Sequence, residues 1–314
     1  MRNIHKLTEG AIILAVFSVL LLLTIFVPIV GIATNLFLAL PFMLFAAKND
    51  GKSTLVFLVS AILISFIVGN ILALPLALTF GSAGAMMGYL IHKQKSRTTI
   101  FLAGSFAVLI NVVLQYAFSI VFFQIDFIQE SINILQQSMN QSFKALEAMG
   151  QVEGLDKIKA QFDSGMKMMK FLTPSLFLMA SFFLVFLIQL VSIPIIKRFG
   201  VKVGGWRKVS EISLPKSFLW YYLLTMFATM IMNPEEGTYW FWALINLSYM
   251  LQFMMIFQGI TFIFFFAEKK GAPKALPIVI TIFSLALPFL LSIVRILGII
   301  DLGFGLRSQM EKRS

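Results

Sequence analysis

The side chains best placed to do chemistry in this sequence are amides set inside long apolar runs. Asn111 and Gln115 lie four residues apart, a spacing that puts both on one face of a helix. Gln189 and Ser192 stand on the next long run, and Asn246, Ser248, Tyr249, Gln252 and Gln258 on a later one. Away from water such groups must face protein, trapped water or a ligand. Two kinds of chemistry fit them. One is hydrogen bonding between helices, at about 0.6–2 kcal/mol each. The other is a pocket for a small neutral or zwitterionic molecule, for which Asn111, Gln115, Gln189, Asn246 and Gln252 are the ligand-binding candidates.

Catalysis lacks its parts. Glu9, Glu268 and Asp301 fall at or near the ends of apolar runs, where an ionisable group costs least. No H-E-x-x-H, G-x-S-x-G or phosphate-loop pattern occurs. Cysteine is absent, and both histidines, His5 and His92, stand beside basic residues. The expectation is therefore no enzyme, no metal and no cofactor.

The elements that carry these residues are set by composition. Of 314 residues, 59% are hydrophobic and only 12% charged, and the mean hydropathy is +0.91. A soluble domain is about a quarter charged, so this chain cannot coat a soluble globule. The expected fold class is all-α, a polytopic transmembrane helical bundle in the lipid bilayer. Apolar runs broken by charge, Pro and Gly predict about nine spans, at 9–30, 33–47, 54–69, 72–91, 98–123, 170–195, 217–232, 239–266 and 275–297. The first run is too long for a signal peptide and is read as a retained span. No charge lies between Lys52 and His92. The third and fourth spans must therefore join by a tight uncharged turn, with Gly69, Asn70 and Pro75 as its chemistry.

The net charge of +11 is read as loop charge, with no nucleic-acid partner. Lys48 and Lys52, then Lys93, Lys95 and Arg97, then Lys197–Lys216, then Lys269, Lys270 and Lys274 follow alternate spans. By the positive-inside rule these ends and the N-terminus are cytoplasmic. Nine spans place the C-terminus outside, although the tail carries Arg307, Lys312 and Arg313. Eight spans, or a re-entrant segment near Gly298–Gly305, are the alternatives.

The polar segment 124–169 lies on the opposite side. Ile125, Ile128, Ile132, Leu135, Met139, Phe143 and Leu146 form one helical stripe, and Leu155, Ile158, Phe162, Met166 and Met169 a second beyond Gly150 and Gly154. This predicts an extracytoplasmic helical hairpin, one that lies on the membrane surface or covers the bundle, or else a partner-binding or gating element. The domain reading is 1–196 with that insertion, a basic cytoplasmic loop 197–216, and a C-terminal membrane domain 217–314. Gly81, Gly84, Ala85 and Gly88, and separately Ala11 and Ala15, are small-residue packing faces.

At the C-terminal end, Asp301 is a carboxylate near hydrocarbon and needs a partner. Arg295, expected to end the ninth span, and Arg307 are the nearest cations, with Gly298, Gly303 and Gly305 expected to bend the chain. A clamp that fastens the tail, a solvated turn and a direct functional role are the three readings.

The residues Gln258-Gly259, the run Phe264–Lys274 and the ending Gly298, Asp301, Gly303, Arg307 resemble the YybS-type family of bacterial membrane proteins, grouped as domain of unknown function 2232. That resemblance spans nearly the whole chain and implies no established activity. Residues 1–196, with six helices, Leu7-Thr8 and the pattern Ala11-x-x-x-Ala15, also look like the S component of energy-coupling factor transporters. In that family the first-helix alanine face docks on the membrane coupling subunit, so Ala11 and Ala15 would be the docking residues here. The long insertion and the extra helices depart from that pattern. Two functions follow: a small-molecule-binding transport component working with other membrane subunits, or a non-transporting scaffold that binds envelope proteins through the outer hairpin.

Overall fold

A computed structural model describes residues 2–150 and 154–312, with side chains from Lys6 onward. Residues 151–153 at the expected hairpin turn, the side chains of Arg2 and His5, and Arg313 in the tail lie outside the described residues. Every described element is helical. In order they are α1 (Arg2–Phe26), α2 (Pro28–Asn35), α3 (Leu40–Lys48), α4 (Gly51–His92), α5 (Arg97–Phe123), α6 (Phe127–Ala148), α7 (Leu155–Phe171), α8 (Thr173–Arg198), α9 (Ser217–Met232), α10 (Tyr239–Lys269), α11 (Ala275–Ala286), α12 (Pro288–Phe304) and α13 (Leu306–Lys312). Local chemistry starts several of them. Asp50, Ser96, Asp126 and Thr238 each accept a backbone N–H in the first turn of the helix that follows. Pro28 and Pro288 open α2 and α12, where a missing N–H costs nothing.

The chain divides into two compact units. The first holds residues 1–155 and 176–206, the second 156–175 and 207–314. Residues 156–175 thus group with the C-terminal unit.

In the first unit α4 is one helical run of 42 residues, which if straight would be about 63 Å long, twice the roughly 30 Å hydrocarbon core. It is not straight. Asn70 alone leaves helical geometry, at φ 59° and ψ −164°, and the second arm lies back along the first. A Cβ placed on Gly81 would stand 2.8 Å from Leu58, and one on Gly51 3.4 Å from Tyr89. The uncharged turn read at Gly69–Asn70 is this reversal, and Pro75 lies inside the second arm. That arm also packs on α3: a Cβ on Gly88 would lie 2.5 Å from the Met43 carbonyl oxygen, so the small-residue stripe is a close-packing face. Phe17, Leu21, Phe42, Met43, Met87 and Ile188 fill the core of this unit.

In the second unit the run 275–297, read as one span, is not one continuous helix. It is broken at Leu287–Pro288, where α11 and α12 meet at a 120° bend. The pyrrolidine ring removes an N–H and disfavours helix in the residue before it, and Leu287 is extended at φ −117°, ψ 110°. Helix α12 then runs beside α10 in the same direction. Arg295 meets Gln252, Gly298 meets Met255, Asp301 meets Gln258 and Arg307 meets Thr261. Arg295 therefore lies in mid-helix, not at a helix end. Gly298 and Gly303 are helical and bend nothing; Gly305, at φ 63°, is the one of the three that ends the helix.

Among the described residues six helical segments, with α2 and α3 taken as one and α4 among them, are long and apolar enough to cross a membrane, or seven with the bent pair; α9 is shorter, at 16 residues.

Candidate functional site

The five candidate amides fall in both units, and each is engaged by protein. In the first unit the Asn111 amide donates to Ser82 Oγ at 2.8 Å and to the Ala107 carbonyl at 2.8 Å. Gln115 donates to Thr79 Oγ1 at 2.9 Å and to the Pro75 carbonyl at 3.2 Å. Thr79 and Ser82 are three apart on the second arm of α4, matching the four-residue step on α5. That pairing of steps is a zipper between two helices. Gln189 is fully buried; its Oε1 accepts from Arg97 Nε at 2.9 Å, and its NH₂ faces Met87 Sδ at 3.4 Å.

In the second unit Asn246 ties three segments. Its Oδ1 accepts from Ser175 Oγ at 2.7 Å and from the Ser175 N–H at 3.1 Å, while its NH₂ donates to the Phe171 and Trp242 carbonyls. Gln252 Oε1 accepts from Arg295 at 2.9 Å. These bonds use the amides as helix-to-helix fasteners, the first of the two chemistries their types allow.

The densest polar cluster surrounds Asp301, which is 3% exposed. Its Oδ2 accepts from Gln258 Nε2 at 2.6 Å and from Arg307 Nε at 2.9 Å. Arg307 also donates to the Ser210 and Ile212 carbonyls and to Thr261 Oγ1, and its guanidinium lies 5.2 Å from the centre of the Phe265 ring. Gln258 Oε1 accepts the Leu214 N–H at 2.8 Å. One buried carboxylate, one guanidinium and one amide thus join α10, α12 and the 210–214 segment. Of the two cations the sequence offers Asp301, the structure uses Arg307. At the edge of the cluster Glu268 accepts from Lys208 Nζ at 2.8 Å and from the Ser210 hydroxyl, and Glu268 pushes the exposed Lys208 ammonium above its ordinary pKa. Both donors to Asp301 fall on one carboxylate oxygen, Oδ2.

At one end of the first unit Lys6 pairs with Asp50 at 3.1 Å and Lys48 with Glu9 at 3.0 Å. The Ser53 hydroxyl, then Lys6, hold the Asp50 carboxyl well below the usual carboxylate range. His92 Nδ1 lies 3.1 Å from the Ala47 carbonyl oxygen. Ala11 and Ala15 are exposed on α1, between exposed Leu7, Ile12, Val16 and Val19.

Sequence reasoning misses Arg97, Ser210, Thr261 and Gln258's pivotal place. Arg97 reads as a loop cation because it precedes an apolar run; nothing in the sequence tells that its side chain turns inward to 7% exposure. Thr79 and Ser82 stand three apart on the second arm of α4, and nothing in the sequence pairs them with Asn111 and Gln115.

The family described as "Predicted membrane protein (DUF2232)" matches residues 15–302. The chain is similar to the Uncharacterized protein YybS of Bacillus subtilis (strain 168), at 26% identity over 311 residues, covering 99% of this chain and 100% of that protein. No solved structure matches the chain.

Proposed function

This chain belongs to the DUF2232 family of predicted membrane proteins, and we propose that it is a non-enzymatic scaffold of the bacterial plasma membrane that assembles with other membrane or envelope proteins. The observation that carries this reading is the fate of the span amides. Asn111, Gln115, Gln189, Asn246 and Gln252 all end on protein partners, as fasteners between helices do. Surfaces for partners remain: the α1 face around Ala11 and Ala15, and α6, which exposes Phe127, Ile134 and Leu135.

The topology proposed with it has a cytoplasmic N-terminus, eight spans and a re-entrant pair α11–α12. Counting α2–α3 as one span and each arm of α4 as another, α1 to α10 supply the eight, with α6 and α7 outside. The parallel course of α12 beside α10 returns the tail to the side of Lys269. Its basic residues then obey the positive-inside rule.

A second reading, a small-molecule-binding component like the S components, has one observation in its favour. The Asn35 side-chain Oδ1, at the end of α2, is buried with no partner among the described residues, as are the Ser105 and Ser192 hydroxyls. Native mass spectrometry of the protein purified from its own membranes separates the two. A scaffold carries stoichiometric protein subunits. A polar, non-lipid small molecule released on denaturation, with no subunit bound, overturns the scaffold in favour of the second reading.

A further inference from the structure

The first unit carries an open cleft lined in part by lysines. It has a volume of about 450 Å³ and is lined by Gln94, Lys197, Val201, Lys202, Val203 and Gly204. The lining follows from the local chain path. Helix α8 ends in Lys197 and Arg198, and Gly200, at φ 80°, turns the chain back over the bundle. Val201 and Val203 pack onto the core, so Lys202 between them points outward and is exposed. Gln94, in the turn after α4, donates to the Lys202 carbonyl at 3.3 Å and holds this segment in place.

The segment is pinned a second time at Trp206. The Arg97 guanidinium lies 4.9 Å from the centre of its ring, a cation–π contact that a desolvated arginine strengthens, while Nε holds Gln189. The segment that lines the cleft is thus tied to Gln94 at one point and to Arg97 at another.

Its charge is unbalanced. Among the described residues no carboxylate pairs with Lys197, Lys202 or Arg97. Glu9 and Asp50, which pair with Lys48 and Lys6, are already taken. Lys197 and Lys202 line one open cleft with no acidic partner among the described residues, a charge that an anion of phosphate type balances. Two valines share the lining, so the occupant has an apolar part next to its charge. The cleft forms from residues just past the end of α8, a helix long and apolar enough to cross a membrane, and lysines at such an end attract anionic headgroups.

We propose that this cleft binds a phosphate diester, that of an anionic phospholipid headgroup such as phosphatidylglycerol. Lys197 and Lys202 hold the phosphate oxygens, and Val201 and Val203 face the glycerol. The proposal needs neither the scaffold reading nor its failure, since bound lipid is compatible with both.

The test uses the full-length, delipidated protein in detergent, titrated with phosphatidylglycerol and with phosphatidylcholine and read by native mass spectrometry. Two double variants carry the same charge change: Lys197→Gln/Lys202→Gln in the cleft, and Lys93→Gln/Lys95→Gln on the neighbouring turn. Two lysines near a headgroup are worth about a thirtyfold change in affinity. The cleft variant is expected to bind phosphatidylglycerol about thirtyfold more weakly, with the turn variant near the parent and phosphatidylcholine weak throughout. Equal weakening in both variants, or in neither, overturns the site. A parallel arm titrates glycerol phosphate and inorganic phosphate and reads the melting temperature. Stabilisation that depends on Lys197 and Lys202, without retention of phosphatidylglycerol, keeps the phosphate site and overturns the lipid as its source.

Discussion

Gly298 of α12 sits against Gly259 of α10 so closely that a Cβ on Gly298 would lie 2.8 Å from the Gly259 amide nitrogen and 2.0 Å from the Met255 carbonyl oxygen. The obstructing atoms are backbone, which cannot swing aside. Such contact maximises dispersion between helices that gain little from the hydrophobic effect in lipid. Gly298→Ala should therefore force the helices apart and cost about 1–3 kcal/mol or more. Gly303 is the control, since a Cβ there meets only Leu219 at 3.5 Å, an ordinary contact. Thermal melting in detergent should show Gly298→Ala well below the parent and Gly303→Ala near it. Equal melting of the two variants refutes the close-approach account.

The Asp301–Arg307 pair should behave as a buried couple. Asp301→Asn leaves the Arg307 guanidinium without its counter-charge in a nearly dry site, and breaking such a pair costs about 3–5 kcal/mol. Arg307→Gln leaves the carboxylate with Gln258 alone. The double variant removes both charges and should lose less than the two single losses added together. A double-mutant cycle by thermal melting measures this coupling. Additive losses would mean that the pair is solvated in solution and fastens nothing.

Much of the fold is legible in the amino-acid order, for identifiable reasons. Spans follow from apolar run length, and the α4 reversal from Gly69-Asn70 within an uncharged stretch, because both signals are local. The amides are legible as residues but not as contacts. A helix face shows that Asn111 and Gln115 travel together, not that Thr79 and Ser82 receive them. The broken final span escapes a sequence reading because Pro288 in an apolar run fits a tolerated kink as well as a near reversal. Only the tertiary contacts of α12 with α10 decide between these. Arg97 is unreadable for the same reason, since its inward turn depends on Gln189, 92 positions away.

Topology can be read by labelling. Gln141 lies on α6, Lys95 in the turn between α4 and α5, and Gln309 on α13. With an impermeant maleimide added to intact cells, Gln141→Cys should label, while Lys95→Cys and Gln309→Cys should label only after lysis. External labelling at Gln309 alone would restore a ninth span in place of the re-entrant pair. External labelling at Lys95 would invert the whole orientation.

Asp50 supplies a pH signature. Its carboxyl is held below its ordinary pKa of 3.8, so the folded state favours the ionised form. Its contribution is complete above the unfolded pKa and fades as pH falls through the lower folded one. Asp50→Ala removes the cap on α4 and the partner of Lys6. The melting difference between parent and Asp50→Ala should be constant between about pH 7 and 5 and shrink below about pH 4. A difference unchanged at the acid end would mean that the carboxylate charge contributes nothing and that side-chain geometry alone caps the helix.

The last prediction concerns the first helix. Ala11 and Ala15 lie one turn apart and exposed on α1, in a strip that also exposes Ile12, Val16 and Val19. Two alanines one turn apart leave a shallow groove where another helix can approach closely, whereas lipid chains gain nothing from small residues. Ala11→Trp fills that groove without touching the core, because the position is already open. The isolated protein should therefore melt like the parent, while any complex that uses this face is overpacked by about 1–3 kcal/mol. Measured on material extracted from native membranes, the expected outcome is unchanged melting of the free chain together with lower recovery of bound subunits. If Ala11→Trp alters neither, the face meets only lipid and partners must bind elsewhere, with the exposed side of α6 next in line. If it lowers the melting of the free chain, α1 is packed within this protein, and the docking surface assigned to Ala11 and Ala15 does not exist.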